Sequence, residues 1–106
     1  MYPEILFFTS IYCSPCQTVE RMLNNINIRL FGNKLIIKKI EISKAENLEL
    51  TKKHNVFSVP TLIVGNKRLS SNIDEEDLID SILQAFLSSV QISNNKYENL
   101  NKNSVN

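Results

Sequence analysis

Ile5-Leu6-Phe7-Phe8-Thr9-Ser10-Ile11-Tyr12-Cys13-Ser14-Pro15-Cys16 is the stretch that organises the rest of the chain. An apolar run leads into two cysteines, and behind them Val19, Met22, Leu23 and Ile26 recur at i, i+3, i+4 and i+7, one face of a helix. Residues 4–9 therefore read as a short buried strand, and the helix runs from Ser14 to about Ile26. Pro15 fits such a helix only in its first turn, where its missing N–H would have had no partner. Two cysteines three positions apart at a strand-to-helix junction put two sulfurs on adjacent sites of one turn. Unpaired N–H groups and the positive end of the helix dipole stabilise a thiolate on Cys13 there.

Outward from that junction, Asn24, Asn25 and Asn27 are expected to weaken the helix end, and Gly32-Asn33 marks a turn. Residues 35–42 are rich in β-branched side chains and read as a second strand, with the adjacent Lys38 and Lys39 on opposite faces. Ser43-Lys44-Ala45-Glu46 has the spacing of a capping box and opens a short helix over roughly 44–54, with Ala45, Leu48 and Leu50 inward. His54 falls at its C-terminal end, where a partial positive charge is favourable. Residues 61–65 form a third strand, and Gly65-Asn66 returns the chain through Lys67-Arg68-Leu69 as a fourth. Asn72-Ile73-Asp74-Glu75 offers a second cap, and Asp74 to Asp77 suit a helix start. The helix that follows carries Leu78, Ile79, Ile82, Leu83, Phe86, Leu87 and Val90, a stripe wide enough to cover a sheet face.

The order β-α-β-α-β-β-α implies an α/β fold with a four-stranded mixed sheet and three helices, its first crossover right-handed. With 106 residues the chain holds one domain, expected over 1–90. Residues 91–106, dominated by Asn, Ser and Lys, are expected as a mobile polar tail. A formal charge of +1 gives no basic surface for nucleic acid or anionic membrane. The N-terminus lacks a basic leader, and the apolar run behind it is far too short to span a membrane. The expected compartment is the cytoplasm, where paired cysteines are more often catalytic or metal-binding than structural.

Phe7-Phe8-Thr9-Ser10, then Cys13-Ser14-Pro15-Cys16, and later Val59-Pro60-Thr61 at a hairpin strand resemble the thioredoxin/glutaredoxin superfamily in its short, glutaredoxin-like form. The resemblance covers roughly residues 4–90 and implies a thioredoxin-like fold and a thiol–disulfide oxidoreductase that reduces protein disulfides. It assigns Cys13 as nucleophile and Cys16 as the resolving thiol, with Ser14 and Pro15 shaping the segment between them. It also implies a cis Val59–Pro60 peptide beside the cysteines, shielding them from metal ions and leaving Val59 free to pair with an extended substrate. Tyr12, Val59, Pro60 and Thr61 are the expected substrate-binding residues. No resident cofactor or metal is implied beyond the redox disulfide, and the protein is expected as a monomer served by an upstream reductase or glutathione.

The chain departs from the family pattern at several positions. Tyr12 stands where thioredoxins place tryptophan, and Phe7 where they keep a buried acid, so Lys39 lacks the partner that the pattern provides. Ser70-Ser71-Asn72-Ile73-Asp74 replaces the Gly-Gly and acidic pair with which glutaredoxins hold glutathione. Alternatives therefore stay open: a glutathione-dependent enzyme, a redox-responsive binding module, or a homodimer bridged by zinc or an iron–sulfur cluster on four cysteine sulfurs. A purely structural disulfide would close too small a loop to stabilise much. Zinc within one chain would need carboxylates, because His54 is the only histidine.

Overall fold

A computed structural model describes residues 2–89 of the chain. Its central strand is β1 (Glu4–Thr9), whose side chains divide by the two-residue period of a strand. Ile5 and Phe7 enter one core, while Leu6 and Phe8 enter the other. A strand packed on both faces has no need of polar alternation, which is why this one is a continuous apolar run.

The strand order is β2-β1-β3-β4. β2 (Ile36–Glu41) pairs parallel with β1, while β3 (Thr61–Val64) pairs antiparallel with β1 and with β4 (Lys67–Ser70). Between β1 and β2 the chain makes the helix α1 (Ser14–Phe31), and after β4 comes α3, described over 75–89. These two helices supply Val19, Leu23, Ile26, Leu78 and Ile82 to the core with Ile5, Phe7, Leu62 and Val64. The opposite face holds a smaller core of Phe8, Ile40 and Val56, with Leu50 of α2 (Leu48–Lys53) against it. Two strands are exposed as edges, and both carry charge, Lys38 and Lys39 on β2 and Lys67 and Arg68 on β4. Such charges discourage pairing with further strands.

Several sequence expectations change in detail. α1 continues five residues beyond Ile26 because Asn27 completes it rather than fraying it. The buried Asn27 Oδ1 accepts from the Leu35 N–H at 2.9 Å, and Gly32 ends the helix at φ 59°. The Ser43 capping box does not form. Lys44 is extended with no side-chain cap, and a 3-10 turn (Ala45–Asn47) leads into α2. Asn47 instead donates to the Glu41 carbonyl at 2.9 Å, tying that turn to the end of β2. Ala45 and Leu48 consequently face solvent, leaving Leu50 as the inward residue. α3 is capped from within the expected segment 72–75 by Asp74, whose Oδ1 accepts from the Asp77 N–H at 2.7 Å. Its apolar stripe is narrower than expected, since Leu83 and Leu87 are exposed. Val90 and the polar segment 91–106 lie outside the described residues. Among the described residues no helix is long and apolar enough to cross a membrane.

Candidate active site

Cys13 and Cys16 differ because the helix treats them differently. Cys16, Val19, Leu23 and Ile26 follow the apolar stripe of α1, so Cys16 is carried into the core and is 1% exposed. Cys13 lies one turn earlier, outside the helix proper, as its N-cap at φ −117° and ψ 102°. The two sulfurs are bonded, with their Cα atoms 5.2 Å apart. Cys13 is half-buried at the helix mouth.

The electrostatics of that mouth favour negative charge on Cys13. Its Sγ accepts from the Cys16 N–H at 3.1 Å, and its carbonyl accepts from the Gln17 N–H at 3.2 Å. An N-cap side chain satisfies one of the donors that a helix start leaves unpaired. Pro15 brings no N–H of its own and stiffens the turn. The first turn of α1 carries no acidic residue, so no carboxylate on that turn opposes a thiolate. Ser14 and Pro15, in the first turn of α1, are both exposed.

Register brings a second loop to the same end of the sheet. Phe8 pairs with Thr61 in the antiparallel β1–β3 ladder. The residues that leave β1 toward Cys13 and those that enter β3 from Phe57 therefore emerge side by side. The Val59–Pro60 peptide is cis, with Pro60 buried and Val59 half-buried. Val59 and Cys13 pack against the same core. Thr61 is 2% exposed and its hydroxyl donates to the Ser58 carbonyl at 2.7 Å, so its side chain braces the loop that carries Pro60. Tyr12 stands 94% exposed beside Cys13.

Two features of the site escaped sequence reasoning. Phe57 is 92% exposed and Ile11 is exposed as well, so apolar side chains stand on both loops. The signal for Phe57 was its position two residues before Val59-Pro60. Glu20 was also passed over; its Oε2 lies 2.7 Å from Lys39 Nζ. Its spacing of four from Cys16 could have drawn attention to it. Lys38 and Lys39 do project to opposite faces. Lys38 lines a hollow of about 630 Å³ with Leu6, Leu50 and Ile63, which includes neither cysteine. His54 caps α2, and its carbonyl accepts from the Arg68 guanidinium. Among the described residues no group of three or more His, Cys, Asp or Glu side chains is placed to hold a metal ion.

The family model described as Thioredoxin matches residues 2–89. The chain belongs to the thioredoxin family. It is 33% identical to Thioredoxin-1 of Drosophila melanogaster over 69 residues, covering 63% of this chain and 62% of that one. It is 37% identical to the thioredoxin of Bacillus subtilis (strain 168) over 57 residues, 54% of this chain and 52% of that one. The matched stretches thus span between half and two thirds of those thioredoxins. The solved structure of thioredoxin 1 from Thermosipho africanus TCF52B superposes with a TM-score of 0.64 at 25% identity. That likeness covers 86% of this chain and 98% of that thioredoxin, so the fold corresponds over nearly its whole length.

Proposed function

We propose that this chain reduces disulfides in protein substrates through a Cys13–Cys16 dithiol cycle. The observation that carries the proposal is the asymmetry of the pair: one sulfur caps the helix at its open mouth, and the other lies one turn inside the core. In the reduced protein, Cys13 attacks a substrate disulfide as a thiolate. One substrate sulfur leaves with the bonding electron pair, and a mixed disulfide forms on Cys13. Cys16 then attacks Cys13 Sγ, closing the Cys13–Cys16 bond and expelling the second substrate sulfur. Two electrons have moved from the dithiol to the substrate. The disulfide itself is the redox group, so the cycle requires no further cofactor.

Substrate recognition in this proposal uses the rim between the two loops. An extended segment pairs with the backbone at Val59, beside Pro60, while Tyr12 flanks it. Phe57 adds apolar area on the far side, and Thr61 keeps the loop in place. The protein acts as a monomer in the cytoplasm, where the surroundings keep such a pair available for reduction. An upstream dithiol reductase restores the pair. Glutathione is less favoured as the donor because the Asp74 carboxylate already takes the Asp77 N–H at the α3 start, where a glutathione carboxylate would have to bind.

Serine variants test the roles of the two sulfurs against a disulfide-bearing protein substrate. Cys16→Ser is expected to accumulate a mixed disulfide through Cys13, and Cys13→Ser to accumulate none. The opposite pattern would overturn the assignment.

A further inference from the structure

The dithiol cycle requires Cys16 to lose a proton before it can attack. Its surroundings make that difficult, because Phe7, Val19 and Leu23 belong to the core that buries it. The helix-mouth donor that serves Cys13 is the backbone N–H of Cys16 itself. A proton acceptor must therefore come from elsewhere.

Cys16 borders a cavity of about 200 Å³, whose wall also holds Thr9, Ser10, Glu20, Lys39 and Glu41. That volume and that polar lining suit several waters, each occupying roughly 30 Å³. Glu20 follows Cys16 by four residues on α1, which puts both side chains on one face of the helix. From β2, Lys39 reaches across to Glu20 with 2.7 Å between Nζ and Oε2. Lys39 is the register partner of Phe7, so it occupies the part of the sheet directly beside the core that holds Cys16. The charged groups facing Glu20 are Lys39 and Glu41 of β2, and Glu41 lies 3.7 Å from Lys44 Nζ. On α1 its cavity neighbours, Cys16 and Gln17, carry no fixed charge.

We propose that Glu20, oriented by Lys39, accepts the proton of the Cys16 thiol through water in this cavity. This rests on the dithiol cycle proposed above. The S–H bond of Cys16 breaks and an O–H bond forms on the Glu20 carboxylate. The resulting thiolate attacks Cys13 Sγ of the mixed disulfide. As the Cys13–Cys16 bond forms, the bond from Cys13 to the substrate sulfur breaks, and that sulfur leaves with the electron pair. It takes up the proton from the Glu20 carboxyl, which restores the carboxylate. Lys39 is a positioning residue in this scheme, holding the carboxylate on the cavity wall.

Reduced protein mixed with a symmetric chromogenic aromatic disulfide separates the two steps. The first thiol released reports attack by Cys13, and the second reports closure by Cys16. Glu20→Gln is expected to slow the second release by about a hundredfold near neutral pH, the lower end of a general base's contribution. It leaves the first release unchanged. The deficit shrinks as pH rises, because the thiol then ionises without help. Glu20→Asp restores part of the rate, Lys39→Met slows the same step less than Glu20→Gln does, and Glu41→Gln leaves it unchanged. A wild-type second-release profile in Glu20→Gln, or an equal loss in Glu41→Gln, would overturn the assignment while leaving the dithiol cycle intact. A wild-type protein that gives no second release overturns the cycle itself, and the role of Glu20 with it.

Discussion

Asn27 sits where helix propensity alone would let α1 fray, and it closes the helix instead. Its backbone carbonyl accepts from the N–H groups of Gly32 and Asn33, its Oδ1 accepts from the Leu35 N–H, and its Nδ2 donates to Asn33 Oδ1 at 3.1 Å. One buried side chain thereby joins the helix end to the start of β2. Asn27→Ala leaves the buried Leu35 N–H without its partner and is expected to cost about 1–3 kcal/mol in urea unfolding. An unchanged midpoint would contradict this role. Propensity scales rank asparagine among poor helix formers, and its value here depends on Asn33 and Leu35 folding back onto it. That return is a tertiary event with no local signature. The same holds for Glu20, whose partner Lys39 lies across a helix–strand crossover. Cys13 and Cys16 were legible for the opposite reason, because their distinction rests on three residues of spacing and one helix start.

The elements show a similar division between local and distant causes. β1 was readable to its ends because an uninterrupted apolar run has few alternatives of that length. The hairpin was readable from Gly65-Asn66, and Gly65 adopts φ 60° there. A Cβ at Gly65 would meet Ala85 Cβ of α3 at 3.4 Å, about van der Waals contact, so the left-handed backbone is the main obstacle to a side chain there. Gly65→Ala is accordingly expected to lower stability by about 1 kcal/mol, read as a shift in the denaturation midpoint. A neutral result would show that the turn relaxes freely. The capping boxes were less reliable guides. Ser43 had the right spacing, yet Asn47 anchors to Glu41 and a 3-10 turn results. At the start of α3 the segment Asn72-Ile73-Asp74-Glu75 held more than one capping side chain, and the carboxylate of Asp74 is the one that caps. Caps are decided by which side chain the incoming backbone presents, and sequence spacing leaves several candidates.

At the scale of the whole molecule, the site is a consequence of where strands end. β1 and β3 run antiparallel side by side, so the exit toward Cys13 and the approach from cis Pro60 share one end of the sheet. A motif pair far apart in sequence was enough to anticipate that meeting, since the resemblance carried both halves. Tyr12 at its rim was legible from its place before Cys13, but Ile11 and Phe57, which complete the apolar collar, are exposed in three dimensions and ordinary residues in one. α1 runs from the site into the core and gives the two sulfurs different surroundings, with Cys13 at its mouth and Cys16 in its packed face. Limited alkylation of the fully reduced protein, mapped by mass spectrometry, tests that division most directly. The label is predicted on Cys13 in preference to Cys16 by about tenfold or more, as thiolate character and access both favour it. Equal labelling, or label concentrated on Cys16, would contradict it.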